Sequence, residues 1–279
     1  FKTATTLDPV IFDPNLLRRF GYPQEYVDEM KASIDSGMGI YKKLGVTPAY
    51  TCCPFYLLPA HYGEHIATAE TTVQLFSNSI LGARTNKESG PTALASAITG
   101  RTPFYGMHLS ENRRGQVLVK LKEDIDLSLF TYADYSALGY YVASQAVDKI
   151  PVYTGFPVSI SRTELLYFSS SHSTASSLSM FHIVGITPEA PTVEAAFGNG
   201  KPLDTIVVGK KEIRDTYEIV TSATDESIDW VLFGCPHVTL QHIKDVALLL
   251  DGKKIHENVK LIVATSDPIR VLAQRMGRR

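Results

Sequence analysis

Along the first part of the chain, apolar residues recur at helical spacing. In residues 23–44, Val27, Met30, Ile34 and Tyr41 fall three, four and seven positions apart, one stripe that predicts a helix stopped by Gly45. Residues 48–52 form a short β-prone stretch ending at paired cysteines. A second helix is predicted over 67–81, where Ala69, Val73, Phe76 and Ile80 share a face, and a third over 91–98, with Pro91 opening it and Gly100 just past its end. Between them, 82–90 is polar, bounded by glycine and reads as a loop. Residues 116–121 are strand-like.

The second half is more regular. Strands are predicted over 204–208, 229–233 and 260–264, each followed by a helix, over 210–220, 239–250 and 268–276. Short β-branched runs alternating with such helices predict a parallel sheet with helices packed on it, its strand C-termini on one edge. Ligands of open α/β sheets bind at that edge. Cys235 follows the strand ending at Phe233, His237 comes next, and Thr239 is placed to cap the following helix. The chain divides into two parts on this reading. Residues 1–125 carry Cys52 and the Arg84-Thr85-Asn86 loop, and 126–279 form an α/β unit with Cys235 at a strand C-terminus.

Composition narrows the function classes. Hydrophobic residues make up 44% and charged residues 20%, as in ordinary globular chains. A net charge of -2 gives no bulk attraction to nucleic acid or to anionic membrane. No apolar run approaches membrane-spanning length, and no leader pattern opens the chain. Three cysteines form no disulfide framework, so a reducing, cytoplasmic compartment is expected. The opening at Phe1-Lys2-Thr3-Ala4 and the stop just after a helical pattern suggest a fragment, a processed product or a shortened relative.

Several segments carry candidate chemistry. Thr51-Cys52-Cys53-Pro54 and Gly234-Cys235-Pro236-His237 each place a thiol beside a proline in a turn, which suits a rigid cluster ligand or equally a small buried hydrophobe. Arg84, Thr85, Asn86 and Arg101 surround a proline-started helix and suit an anion pocket or a solvated loop. His108, Glu111, Asn112 and Arg113 crowd before a strand, as general acid–base groups or as an ordinary polar loop. His182 lies in an apolar run, where a core histidine is the commoner occupant. The hydroxyl-rich residues 169–177 read as a substrate-facing or a flexible loop. His61 and His65 have ligand spacing but no third ligand nearby. No H-E-x-x-H, Walker A or G-x-S-x-G motif occurs.

Taken in order, separated blocks of this sequence resemble the large, catalytic subunit of the aconitase X family. They are Thr51-Cys52 before Pro54, Ala69-Glu70, residues 78–86 (NSILGARTN), 90–103 from Gly90-Pro91 to Thr102-Pro103, Glu111-Asn112-Arg113, 181–190 (FHIVGITPEA) and Gly234-Cys235-Pro236-His237. The resemblance covers nearly the whole chain. It implies an aconitase-like α/β fold of parallel sheets flanked by helices. It also implies a hydro-lyase that dehydrates a small hydroxy acid, the family's known reactions being on cis-3-hydroxy-L-proline and mevalonate 5-phosphate. An iron–sulfur cofactor held by Cys52 and Cys235 and a small swivel-domain subunit are implied with it. The substrate would meet Arg84, Thr85, Asn86, Arg101, Asn112 and Arg113, with Glu70, His108 and His182 as catalytic neighbours. This sequence departs from the family pattern in having Cys53 where Thr is commoner, in the serines of 168–177, and in lacking the third cysteine that the family carries nearer its C-terminus. The competing expectations are a cluster-free relative repurposed for another reaction in specialised metabolism, and a non-catalytic degenerate subunit.

Overall fold

The computed structural model describes residues 1–8 and 13–277. In chain order the helices and strands are α1 (Pro14–Arg19), α2 (Gln24–Lys43), α3 (Thr71–Phe76), α4 (Gly90–Thr99), β1 (Val117–Leu121), α5 (Tyr132–Ala146), β2 (Pro151–Tyr153), α6 (Arg162–Ala175) and β3 (His182–Ile183). They continue with α7 (Val193–Ala196), β4 (Asp204–Val208), α8 (Lys210–Val220), β5 (Trp230–Phe233), α9 (Leu240–Leu250), β6 (Lys260–Val263) and α10 (Asp267–Arg275). Mixed α/β architecture with parallel sheets flanked by helices is therefore as expected.

The single parallel sheet expected for the second half is instead two sheets. β4 leaves its sequence neighbours and pairs with β1, in the order β3-β2-β1-β4, while β5 pairs only with β6. The physical reason lies in β2 and β3, which are three and two residues long, too short for a periodicity to show. Both are wholly buried, β2 inside the larger sheet and β3 at its edge, and with β2 on one side β1 offers its other edge to β4. That sheet takes β1 from before residue 125 and its other strands from after it.

α5 and α6 form the core layer over this sheet. Leu138, Val142, Leu166 and Phe168 are completely buried, and with Tyr153, Phe181 and Val208 they join sheet and helices into one apolar cluster. Gly139 allows the close crossing, since a Cβ there would lie 2.6 Å from the Phe168 carbonyl oxygen. Each long helix starts as its sequence dictates. Thr131 and Ser161 accept hydrogen bonds from the backbone of Asp134 and Glu164, whose carboxylates reach back to complete capping boxes.

Three local expectations are corrected. Residues 48–52 are not a strand; only an isolated Thr6–Thr47 bridge forms beside them, because Tyr50 turns the backbone to φ 48°. The predicted 67–81 helix starts at Thr71, where the Glu70 carboxylate caps Val73 N–H, and its last turn, Ser77–Leu81, widens to a π-turn closed by Gly82. Residues 169–175, expected in a loop, lie inside α6. Their hydroxyls stay in the helix by bonding carbonyls one turn back, Ser169 to Leu165 at 2.7 Å and Thr174 to Ser170 at 2.9 Å.

Candidate functional site

Two groups of residues collect the candidate chemistry. The first is a thiol edge. Cys52 leaves the turn before Pro54–Tyr56, and Cys235 leaves the loop after β5. The two segments are sewn together by His237, whose N–H donates to Cys52 Sγ at 3.2 Å and whose Nδ1 lies 3.2 Å from Thr51 Oγ1. Cys53 is buried, with its sulfur 3.9 Å from Cys52 Sγ and 3.7 Å from the His237 carbonyl oxygen. Hydrogen bonding from Cys53, assisted by His237 N–H, outweighs burial and holds the Cys52 thiol below its ordinary pKa. The same hydrogen bond, together with burial, drives Cys53 far upward. Cys235 is exposed, and its pKa is raised by desolvation and by the charges of Cys52 and Glu70.

Glu70 belongs to this edge. One of its oxygens caps α3 at Val73 N–H, 2.6 Å away, and its charge acts on both Cys52 and Cys235. Burial raises its pKa, although backbone hydrogen bonds at the helix start oppose the shift.

The second group is a polar frame around Arg113. This guanidinium is 2% exposed and fully engaged. It forks onto the Glu189 carboxylate at 2.9 Å and donates to the carbonyls of Asn78, Ala83 and Met107 and to Asn78 Oδ1. Asn78, on the π-turn, also accepts from Thr85 N–H at 3.0 Å and donates to the carbonyls of Thr85 and Ser179. Thr85 is buried against Asn86, and Asn86 accepts from Met107 N–H at 2.8 Å. Gly106 is required here, for a Cβ would lie 2.2 Å from Asn86 Oδ1. His182 is buried, and its Nε2 lies 2.7 Å from the Arg113 carbonyl oxygen, so that nitrogen carries the proton.

On the flank of this frame, Arg84 donates to the His108 carbonyl at 2.7 Å and to Ser110 Oγ at 2.8 Å. His108 and His65 stack with their Nδ1 atoms 2.8 Å apart, a spacing that requires one donor and one acceptor. Burial, then the neighbouring His65, lowers the His108 pKa, while its fully buried Nε2 has no hydrogen-bond partner among the described residues. Asn112 is exposed and ties back to the Gly106 carbonyl at 3.0 Å. Arg101 is exposed, and its guanidinium makes no hydrogen bond or ion pair among the described residues.

The predicted residues thus separate by geometry. Cys52, Cys235 and Glu70 meet at the thiol edge. Thr85, Asn86, Arg113 and His182 are joined in the frame, Arg84, His108 and Asn112 fringe it, and Arg101 stands apart. Glu189, Asn78 and His65 went unassigned in the sequence. Glu189 and Asn78 stand inside the quoted blocks, but a role as charge partner or hub shows only once distant segments meet.

Two thiols, one of them activated and held by an amide N–H, suit ligation of an iron–sulfur group. Among the described residues, no group of three or more His, Cys, Asp or Glu side chains completes a metal-binding set. No helix among the described residues is long and apolar enough to cross a membrane.

Comparison with known proteins bears on the same segments. The family model for the aconitase X first domain matches residues 1–111, that for the second domain 115–218 and that for the third 228–279. The chain is 34% identical to the phosphomevalonate dehydratase large subunit of Methanocaldococcus jannaschii, over 99% of this chain and 67% of that protein. It is also 34% identical to the cis-3-hydroxy-L-proline dehydratase of Pseudomonas aeruginosa, over 99% of this chain and 47% of the relative. The crystal structure of Thermococcus kodakaraensis aconitase X in its holo-form superposes with a TM-score of 0.80 at 33% identity, covering 99% of this chain and 66% of that one. The chain therefore spans about two thirds of the archaeal proteins and under half of the bacterial dehydratase.

Proposed function

Because the chain belongs to the aconitase X family, we propose that it is the catalytic part of a hydro-lyase that removes water from a small hydroxy acid. The meeting of Cys52 and Cys235 with Glu70 carries this reading, since loops far apart in sequence converge on one edge with complementary chemistry. The relatives act on phosphomevalonate and on cis-3-hydroxy-L-proline, and both are offered as substrate candidates. Relatives named as large subunits support a small partner subunit. Free thiols at a working site favour a reducing, cytoplasmic compartment.

Dehydration breaks a C–O bond and a neighbouring C–H bond. Cys52 and Cys235 are assigned as two ligands of an iron–sulfur cluster, which when bound supplies a Lewis acid toward the leaving hydroxyl. Glu70 fits the proton-handling role. Burial brings its pKa nearer to neutrality, and capping α3 fixes its direction. His237 orients the Cys52 sulfur through its N–H and, after Cys53, helps to lower its pKa. The Arg113 frame fixes the segments carrying Arg84, Thr85 and Asn86, and of these Arg84, half-buried and held by the His108 carbonyl and Ser110 Oγ, is the cation that would meet an acid group at the frame's rim.

Anaerobic purification with iron, sulfide and visible-spectrum measurements tests the assignment. Cluster-level iron and sulfide are expected, lost in Cys52→Ala and in Cys235→Ala, with the folded far-UV spectrum retained. A folded, colourless, iron-free wild type would instead favour the cluster-free or non-catalytic readings. Dehydration of mevalonate 5-phosphate and cis-3-hydroxy-L-proline, with and without a co-expressed small subunit, then separates the substrates.

A further inference from the structure

Cys53 lies outside the ligand pair assigned above, yet it is placed to act with it. Side chains of consecutive residues in extended backbone point to opposite faces. Cys53 leaves that conformation, at φ -125° and ψ 52°, as the chain turns into Pro54–Tyr56, and its sulfur comes to 3.9 Å from Cys52 Sγ. Two thiolates on one tetrahedral metal atom, with metal–sulfur bonds of about 2.3 Å, stand about 3.8 Å apart. The two sulfurs therefore have the bite of a chelate without either residue moving.

Both are held in place. Cys52 Sγ accepts the His237 N–H, and the Cys53 N–H donates to the buried Thr51 Oγ1 at 3.0 Å. Cys53 is 5% exposed and packs in the apolar cluster under α5 and α6. Its other side borders a cavity of about 310 Å³ into which the starts of α6, α9 and α10 also open. Cys52 is half-buried, so the pair reaches solvent on its side. In the free chain the Cys53 thiol proton is held by the hydrogen bond to Cys52 and then by burial. The charges of Cys52, Glu70 and Cys235 act on it in the same sense and concentrate negative potential around the pair. A metal ion between the sulfurs takes the place of that proton, which leaves to solvent.

We propose that Cys53 is a metal ligand, binding together with Cys52 to one tetrahedral atom of the metal group at the thiol edge. This role rests on the reading of that edge as a metal site. Among the described residues no third side chain completes a set around the pair. None is needed where inorganic sulfide fills the remaining positions, as in iron–sulfur groups that place two thiolates on one iron.

Cobalt(II) titration of the reduced chain, kept free of oxygen, tests the pair without a cluster. Tetrahedral cobalt–thiolate absorption is expected, with near-ultraviolet sulfur-to-cobalt bands that grow with each thiolate bound. Cys53→Ser should weaken cobalt binding about tenfold or more and cut those bands by about one third to one half. Cys53→Ala should do the same, which separates a lost ligand from a hydroxyl that packs badly. Far-UV spectra and metal-free thermal midpoints establish that each variant is folded. Absence of cobalt–thiolate absorption in the wild type, or equal affinity and band intensity in the wild type and the folded Cys53 variants, would overturn the proposal. Anaerobic iron and sulfide contents separate this outcome from the hydro-lyase reading. Their loss in Cys53→Ser, to the level of Cys52→Ala, supports Cys53 as a cluster ligand, and their full retention overturns it. Cobalt binding that depends on Cys53, in a wild type that takes up no iron or sulfide, supports the two-sulfur metal site and sinks the cluster alone.

Discussion

The two parallel sheets use the same alternation of strand and helix, yet they bury their strands differently. In the larger one every residue of β2 and β3 is buried, and Val119 of β1 is completely so. In the smaller one Trp230 and Leu232 remain 38% and 66% exposed, while Val231 and Phe233 on the alternate face are half-buried. The helices repeat the contrast, with α5 and α6 fused into the core and α9 leaving Leu248 and Leu249 exposed. The Arg113 frame abuts the sealed sheet through His182 of β3, whereas Cys235 leaves the end of the open one. Rigidity and chemistry are thus divided, with a saturated polar frame on one side and a thiol on the more lightly packed loop on the other.

Breaking the frame should have the largest effect. Arg113→Met strands the Glu189 carboxylate and several buried carbonyls, and a loss on the order of 3–5 kcal/mol is expected in urea denaturation. A loss below about 1 kcal/mol would mean that the frame is not what secures this side. Truncating the cores comes next and measures the contrast itself. Phe168→Ala in the sealed core should cost about 3–5 kcal/mol, and Leu232→Ala on the open sheet within about 0.5 kcal/mol. Equal costs would erase the distinction between the two sheets.

Acid should act on the sealed side through His172, which is completely buried against the Tyr153 hydroxyl and has its pKa lowered to about 3 by burial. The unfolded chain, with an ordinary value of 6.5, takes up the proton first as pH falls. The stabilisation from neutral His172 is therefore complete above about pH 6.5 and is lost between there and about pH 3, by at most about 1.4 kcal/mol per pH unit. Denaturation midpoints across this range check the sign. A His172→Gln variant should flatten the slope, and an unchanged slope would assign the acid sensitivity elsewhere.

The sequence was legible in the C-terminal alternation of strands and amphipathic helices, whereas the long core helices α5 and α6, apolar or hydroxyl-rich on more than one face, showed no clear stripe. The predicted strand over 204–208 and helix over 210–220 coincide with β4 and α8, and α9, β6 and α10 lie within one or two residues of expectation. Cys235 at a strand end and Thr239 as a cap were equally readable, because both depend on local turn chemistry. The candidate residues were readable as types and as blocks, but not in how they divide. Nothing local distinguishes Arg113, buried and locked onto Glu189, from Arg162, which is exposed and without an ionic partner among the described residues.

The sequence by itself determined the C-terminal alternation of strands and helices, the helix over 24–43, the cap at Thr239 and the family, since these rest on spacings within a few turns and on ordered blocks of residues. Only the tertiary structure decided that β4 joins β1, that serines of α6 face inward, that the charge of Glu70 acts on both Cys52 and Cys235 and that three helix starts share one cavity. Each of these depends on which distant segments pack together. Short buried strands and close crossings set that pairing, through side-chain fits that no periodicity along the chain encodes.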